Sequence, residues 1–130
     1  MTINNFTIKS QEALQKAQQI TQAANHQQIE NTHLLKAIFE VDENVTPFIL
    51  KKLDVNVGLL RQMIDSTLQT YAKVSGADVQ FSRDAVKTLN DADAYAKKKG
   101  DEFVSIEHLL VALFRSNSSV GRMLKDQGIT

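Results

Sequence analysis

Residues 103–114 read FVSIEHLLVALF, and residues 28–39, 75 positions earlier, read QIENTHLLKAIF. Both segments contain His-Leu-Leu, then an alanine two positions further on and a closing phenylalanine. The apolar positions Leu34, Leu35 and Ile38 recur with the period of an amphipathic helix. The pattern therefore predicts a helix from about Asn31 to Phe39 and an equivalent helix that follows Ser105.

The similarity extends on both sides of these two helices. Upstream, the same offset pairs two short openings, Phe6-Thr7 and Phe81-Ser82, each followed by a helix bearing leucine and alanine. Downstream, after one residue is dropped in a loop, the match resumes with the pairs Leu50 and Leu124, Asp54 and Gly128, and Val55 and Ile129. Two copies are too few for an open solenoid. We therefore expect an all-α domain in which two small helical bundles pack with pseudo-twofold symmetry around one core.

Helix-start and helix-stop residues divide the two copies into helices. Side chains that can cap a helix N-terminus precede each apolar stretch, and glycines follow two of these stretches. The predicted caps are Thr7, Thr46 before Pro47, Asn56, Ser82 and Ser105, and the predicted stops are Gly100 and Gly128. The first copy, about residues 6–71, then contains four helices. Its fourth helix carries an apolar stripe at Leu59, Leu60, Met63, Ile64, Leu68 and Tyr71.

The second copy, about residues 81–130, shows only three helices, and the last carries Val120, Met123 and Leu124. It follows a linker over residues 72–80 that has little periodicity. A counterpart of the fourth helix would begin at Thr130. We therefore expect residues 1–130 to be one domain with a truncated last helix, taken from a longer protein.

Charge is balanced within each copy, with seven basic and seven acidic residues over 1–75 and eight of each over 76–130. Nucleic-acid binding usually needs a basic excess, so no nucleic-acid partner is predicted. The run Lys97–Lys99 lies among acidic residues and is interpreted as a solvated face. The chain has no cysteine, no signal-peptide pattern and no apolar run long enough to span a membrane. We expect a cytoplasmic protein without membrane contact.

The sequence contains no motif for a bound cofactor or metal. It has no phosphate-binding loop, no dinucleotide fingerprint and no His-Glu-x-x-His. Of the histidines His26, His33 and His108, the last two occupy equivalent positions in the copies. We interpret both as structural residues in the second turn of their helices, with catalysis or metal binding as the alternative. We predict no catalytic, cofactor-binding or metal-binding residues in this chain.

The paired arrangement resembles the double Clp N-terminal domain, which heads the Clp-type AAA+ unfoldases and disaggregases. The segments that carry the resemblance are residues 6–17, 29–39, 81–92 and 100–110. No single segment is specific to this family. The presence of two copies at this offset, with a loop between them, is specific to it. Residues 74–82 resemble the linker of the ClpB-type disaggregases more than that of the ClpC and ClpA types.

The resemblance implies two four-helix repeats in a mobile domain joined to a homohexameric ATPase. ATP and magnesium would belong to AAA+ modules outside this chain, and an Hsp70-type chaperone system would be the partner of the longer protein. The domain itself, a monomer when isolated, would bind unfolded or aggregated polypeptide and help to deliver it to the central pore. It would therefore not be an enzyme.

Three polar positions tied to substrate handling in ClpB-type domains match Thr7, Asp101 and Glu107. Each also has a structural interpretation. Thr7 is a natural helix cap, Asp101 is a loop residue after a helix stop, and Glu107 is an acid favoured in the first turn of a helix.

The family also has an apolar groove along the fifth and sixth helices, and the matching positions here are Asp91, Tyr95 and His108. Only Tyr95 offers much apolar area, so we predict a more polar groove. The polypeptide-binding residues implied are Thr7, Tyr95, Asp101, Glu107 and His108.

Two other functions stay open. An adaptor-docking domain of a ClpC or ClpA type unfoldase would bind one folded partner tightly and would not respond to generic unfolded chains. A small helical enzyme would need a pocket with convergent acid, base and nucleophile, and the sequence offers no such set.

Overall fold

Seven helices account for most of the chain in the computed structural model, which describes residues 4–76 and 78–128. The linker residue Ala77 and the matched position Ile129 lie outside these residues, as does Thr130. The all-α fold class is confirmed, and no helix among the described residues could cross a membrane. The helices are α1 (Ile8–Ala23), α2 (Asn31–Val41), α3 (Val45–Lys52), α4 (Val57–Gln69), α5 (Arg83–Lys98), α6 (Ile106–Arg115) and α7 (Ser119–Asp126).

Two short parallel strands, which the sequence did not predict, join the copies. Strand β1 (Gln28–Ile29) pairs with β2 (Gln80–Phe81), with Ile29 opposite Phe81. The pairing of β1 with β2 forms one junction between the copies. Phe6, which pairs in parallel with Val104, forms the other junction. The 75-residue offset relates Phe6 to Phe81 and Ile29 to Val104, so each copy supplies one strand to the other.

Backbone hydrogen bonds fix this exchange just before the first helix of each copy. The N–H of Thr7 donates to the carbonyl of Val104 at 3.0 Å, and the N–H of Ser82 donates to the carbonyl of Ile29 at 3.0 Å. Phe6, Ile29 and Val104 are buried. The copies are therefore interlocked and share one hydrophobic core.

Three of the predicted N-caps are confirmed by hydrogen bonds. The Thr7 hydroxyl oxygen accepts from the N–H of Ser10 at 3.1 Å, and the Ser82 hydroxyl oxygen accepts from that of Ala85 at 3.1 Å. The Asn56 side chain accepts from the N–H of Leu59 at 3.0 Å. Each bond satisfies a backbone donor that has no partner within its helix.

The prediction that Thr46 caps the third helix is wrong, because α3 begins at Val45 and its N-cap residue is Asn44, whose side chain makes no capping bond. The side chain of Asp42 supplies the capping bonds instead. The Asp42 carboxylate accepts from the backbone N–H groups of Asn44, Val45 and Thr46, and from the Thr46 hydroxyl at 2.7 Å. Burial opposes ionisation, but these donors outweigh it and hold the pKa of Asp42 below its ordinary value. Pro47 is tolerated because it lies within the first turn.

The pseudo-symmetry reaches the backbone at the helix ends. Asn25 after α1 and Gly100 after α5 are equivalent, and both have positive φ, 59° and 78°. Asp54 after α3 and Gly128 after α7 form the second equivalent pair, with φ of 61° and 84°. A left-handed residue ends a helix by redirecting the chain, and glycine, asparagine and aspartate are the residues that adopt it most readily. The predicted stops at Gly100 and Gly128 are confirmed.

The core draws on helices of both copies. Helix α2 packs against α1 and α4 of its own copy and against α5, α6 and α7 of the other. Val120, Met123 and Leu124 are buried as predicted. In the fourth helix Leu60, Ile64 and Leu68 are buried, whereas Leu59 is exposed and Tyr71 lies beyond the end of the helix.

Two glycines within helices provide a test of this packing. A Cβ at Gly121 would lie 2.1 Å from the carbonyl oxygen of Ser116, whereas a Cβ at Gly58 would meet its nearest atom at 3.6 Å. Gly121→Ala should lower the free energy of unfolding by about 1–3 kcal/mol because the α6–α7 turn must shift. Gly58→Ala should raise it by up to about 1 kcal/mol through helix propensity. Urea unfolding measures both, and equal effects would contradict the close approach at Gly121.

Candidate functional site

His108 anchors the group of predicted site residues on the second copy. It is the third residue of α6, in the first turn rather than the predicted second. The backbone N–H of Ser105 donates to its Nδ1 at 2.9 Å, so Nδ1 is an acceptor and Nε2 carries the proton. Nε2 then donates to Oδ2 of Asp101 at 2.8 Å. His108 therefore forms a capping box with Ser105, the predicted N-cap of α6, and holds the loop after α5 in place.

Tyr95 lies against this pair. Its ring centroid is 5.8 Å from that of His108, in an edge-to-face arrangement. The Nζ of Lys99 lies 5.6 Å from the centroid of the Tyr95 ring, and the guanidinium carbon of Arg115 lies 5.8 Å from it. Tyr95 is partly buried, so its ring gives apolar area between two cations. The structure brings Tyr95, Asp101 and His108 into one cluster, which we call the Tyr95 cluster.

Thr7 and Glu107 lie at the adjoining strand junction. The Thr7 hydroxyl donates to the Ser10 hydroxyl at 2.9 Å besides capping α1, and its backbone binds Val104, three residues before Glu107. Glu107 is exposed on the second residue of α6, next to His108. The starts of α1 and α6 therefore lie side by side, each with a polar predicted site residue.

The exposure of these side chains separates contact residues from supporting ones. The side chain of Asp101 is 53% exposed and that of His108 only 8%. Both ring nitrogens of His108 are used within the fold. A bound polypeptide could therefore reach Asp101, Glu107 and Tyr95, whereas His108 positions two of them.

The first copy contains an equivalent histidine, His33, which makes the same two hydrogen bonds but with a different acceptor residue. The N–H of Glu30 donates to Nδ1 of His33 at 2.9 Å, which leaves the proton on Nε2. Nε2 donates to Nδ1 of His26 at 2.8 Å. The ring of Tyr71 packs against both histidines, with its centroid 5.4 Å from that of His26 and 5.5 Å from that of His33. His26 is the counterpart of Asp101. The exposed carboxylate of the second copy is thus replaced in the first by a buried imidazole.

The buried histidine pair has shifted acid–base properties. Burial, and to a smaller extent repulsion from His26, lowers the pKa of His33 from 6.5 to about 4. Burial, followed by the charge of Lys73, lowers the pKa of His26. Both histidines are therefore held neutral as structural residues.

The cleft beside α5 includes Asp91 of the predicted groove, but neither Tyr95 nor His108 lines it. Asp91 forms an ion pair with Lys87 at 3.0 Å, and both line a cleft of about 270 Å³ together with Arg115. A more apolar groove, which the sequence did not predict, lies between α4 and α7, is about 490 Å³, and includes Leu59, Met63 and Met123. The sequence pattern placed Leu59 in the core stripe, but the structure exposes it in this groove. Among residues 4–76 and 78–128, no three acidic or histidine side chains are close enough to hold a metal ion.

Comparison with known proteins agrees with the fold and the repeat. The family model of the Clp repeat N-terminal domain matches residues 5–127. The ClpB chaperone of Bacteroides thetaiotaomicron is 45% identical over the whole of this chain, and that of Porphyromonas gingivalis is 37% identical. The chain spans 15% of the length of each of these relatives.

Solved structures match at the level of the fold. The N-terminal domain of Hsp104 from Candida albicans superposes with a TM-score of 0.86 at 18% identity, covering 98% of this chain and 84% of that one. The N-terminal domain of the ClpV1 ATPase from E. coli gives 0.81 at 20% identity, covering 94% and 78%. A doubled, pseudo-symmetric helical domain of this kind defines the class. The chain belongs to the Clp N-terminal repeat family, and the two curated relatives named above are ClpB chaperones, as the sequence resemblance implied.

The histidine pair predicts a pH dependence of stability. Because the pKa of His33 is lowered in the folded state, the unfolded state takes up a proton first as the pH falls. Stability should be complete above pH 6.5 and should decrease by about 3 kcal/mol towards pH 4. His33→Gln, whose amide oxygen can still accept from Glu30, should show a shallower decrease in urea unfolding across this range. Identical pH profiles for both proteins would contradict the assignment.

Proposed function

We propose that this domain recognises polypeptide for a ClpB-type disaggregase, binding unfolded or aggregated segments weakly and helping to deliver them to the motor. The longer protein would be a homohexameric, cytoplasmic ATPase that uses ATP and magnesium in its AAA+ modules. It would work with an Hsp70-type chaperone system. The similarity to ClpB chaperones over the whole chain supports this assignment.

The observation that carries the proposal is the Tyr95 cluster. It combines one accessible aromatic ring with the half-exposed carboxylate of Asp101. An extended polypeptide offers apolar side chains and unpaired backbone N–H groups, and these two features are complementary to them. A single ring and a few hydrogen bonds give low affinity, which suits a domain that must release what it binds.

Glu107 and Thr7 extend the surface towards the strand junction. Glu107 is an exposed acceptor for a further polypeptide N–H. Thr7 already uses its hydroxyl for the cap of α1 and the bond to Ser10, so its contact with a polypeptide would be a secondary one. His108 contributes by holding Tyr95 and Asp101 in register.

Zero net charge in each copy fits the same function. The surface presents no single-sign field that would select polypeptides by charge. Around Tyr95, the cations Lys99 and Arg115 are matched by Asp91 and Asp101 nearby. Discrimination between polypeptides would then depend on short-range contacts.

Titration of the isotope-labelled 130-residue chain with a permanently unfolded protein, reduced and carboxymethylated lactalbumin, tests the proposal by NMR. Amide shifts should centre on Tyr95, Asp101 and Glu107. Tyr95→Ala should weaken binding at least about threefold, because an apolar contact of one ring is worth roughly 1 kcal/mol at a partly exposed site.

Phe48→Ala is the matched control. Phe48 is also an exposed aromatic ring with a lysine over it, Lys52 at 5.0 Å, but it lies on α3. This variant should bind as the unmodified chain does. Shifts absent at millimolar unfolded protein, or confined to the α4–α7 groove, would contradict the proposal. Tight binding of one folded partner with no response to unfolded chains would favour the adaptor-docking function.

A further inference from the structure

The linker binds to the first copy as an extended segment. Lys73 lies opposite His26 in an antiparallel bridge, and the N–H of Val74 donates to the carbonyl of Asn25 at 2.8 Å. Asn25 and His26 belong to the loop between α1 and β1. The first copy therefore shows what the edge of this loop can bind, which is a short extended piece of polypeptide held through its backbone.

The second copy contains the equivalent loop edge after α5. The 75-residue offset relates Asn25 to Gly100 and His26 to Asp101. The two left-handed residues have similar φ, 59° at Asn25 and 78° at Gly100. The backbone N–H groups of His26 and Asp101 bind carbonyls that the offset also relates, at 3.0 and 2.9 Å. The carbonyl of Gly100 therefore has the same backbone setting as that of Asn25.

The edge in the second copy is open. Gly100, Asp101 and Glu102 are all exposed. Within residues 4–76 and 78–128, no backbone N–H donates to the carbonyl of Gly100. An exposed edge with an unused carbonyl is a template for a further extended segment. The edge that the linker covers in the first copy is thus available to another polypeptide in the second.

One side chain differs between the two edges in a way that selects a charge. Residues directly opposite each other in an antiparallel pair have neighbouring side chains. Lys73 lies opposite His26, and its charge is one cause of the lowered pKa of that imidazole. In the second copy the carboxylate of Asp101, which is 53% exposed, takes the place of the imidazole. A lysine or arginine opposite Asp101 would form an ion pair there.

The surroundings of Asp101 are compatible with a bound cation. His108 donates to Oδ2 of Asp101, which leaves Oδ1 for another donor. Glu102 adds a second exposed carboxylate to the same loop. The Nζ of Lys99 lies over the ring of Tyr95, 5.6 Å from its centroid. The carboxylates of the edge can therefore accept a basic side chain from a bound segment.

We propose that residues 100–102 form a docking edge for an extended polypeptide segment that carries a lysine or arginine. The segment runs antiparallel to the loop, the carbonyl of Gly100 accepts one of its backbone N–H groups, and its basic side chain pairs with Asp101. The proposal rests on the proposed function and specifies its binding mode, because Asp101 belongs to the Tyr95 cluster. The preference for a basic residue concerns one position only.

NMR titration with a peptide copy of the linker tests this binding mode. The probe is the blocked pentapeptide Tyr-Ala-Lys-Val-Ser, the sequence of residues 71–75, added to the isotope-labelled 130-residue chain. Amide shifts should centre on residues 100–102. An isotope-filtered NOE should connect the Hα of Asp101 with that of the peptide lysine, because opposite residues that share no hydrogen bond have Cα atoms about 4.5 Å apart.

Methylation of the peptide backbone tests the bond to Gly100. In the register of the linker, the N–H of the peptide valine points towards the edge and that of the lysine points away from it. A peptide with N-methylvaline should bind about fivefold more weakly, because it lacks the donor to Gly100. A peptide with N-methyllysine is the matched control and should bind as the unmodified peptide does.

The ion pair is tested by one change on each side. Asp101→Asn keeps an oxygen that can accept from His108 but loses the charge. This variant should bind the lysine peptide about threefold more weakly. It should bind a peptide with norleucine in place of lysine as the unmodified chain does. Glu43→Gln, at an exposed residue before α3, is the control variant and should change neither affinity. Equal affinities of the unmodified chain for the two peptides would overturn the preference for a basic residue.

Three results would overturn the binding mode. The first is the absence of shifts at residues 100–102 with millimolar peptide, and the second is unchanged binding of the N-methylvaline peptide. The third is a dependence of these shifts on the concentration of the peptide-free chain, since a second copy would then occupy the edge. In each case, shifts around Tyr95 with unfolded lactalbumin would leave the proposed function intact. Binding of the pentapeptide without any response to lactalbumin would support the docking edge and overturn the proposed function.

Discussion

The reciprocal strand exchange is the constraint on which the rest of this structure depends. Each copy begins with a short segment that pairs with the other copy just before its His-Leu-Leu helix, through the carbonyls of Val104 and Ile29. The pairing buries Phe6 and places the start of α1 beside that of α6, and the start of α5 beside that of α2. Each copy supplies the partner strand for the segment that precedes the first helix of the other. The surface proposed to bind polypeptide adjoins the place where the starts of α1 and α6 meet.

A symmetric scaffold here carries two different sites. Both copies use a histidine at the third helical position, with Nδ1 accepting a backbone N–H and Nε2 donating to the residue seven positions earlier. In the first copy that residue is His26, and the buried neutral pair packs against the ring of Tyr71. In the second it is Asp101, which remains half exposed beside Tyr95. The difference of one side chain turns a structural element into an open polar site.

Much of the fold could be predicted from the sequence, because the 75-residue offset pairs residues of like physical role. The offset matched Leu34 to Leu109, and the caps at Thr7 and Ser82 followed from side-chain chemistry alone. The strands and the Asp42 cap could not be predicted, because they depend on contacts that only the assembled backbone brings together. The bonding of His108 could not be predicted, since spacing indicates the face of a helix but not the tautomer or partner of a side chain.

Native-state hydrogen exchange tests the interlock most directly. If the strand pairing makes the two copies one cooperative unit, the amide protons of Thr7, Val104 and Ser82 should exchange with solvent only by global unfolding. Thr7 and Val104 report on one junction, and Ser82 reports on the other. Their opening free energies and denaturant dependence should then equal those of the core amides of Leu35 and Leu110. The amide protons of one junction could instead exchange through a local opening of much lower free energy, while the other junction and the core stay protected. That result would show that the copies fold separately and would contradict this account.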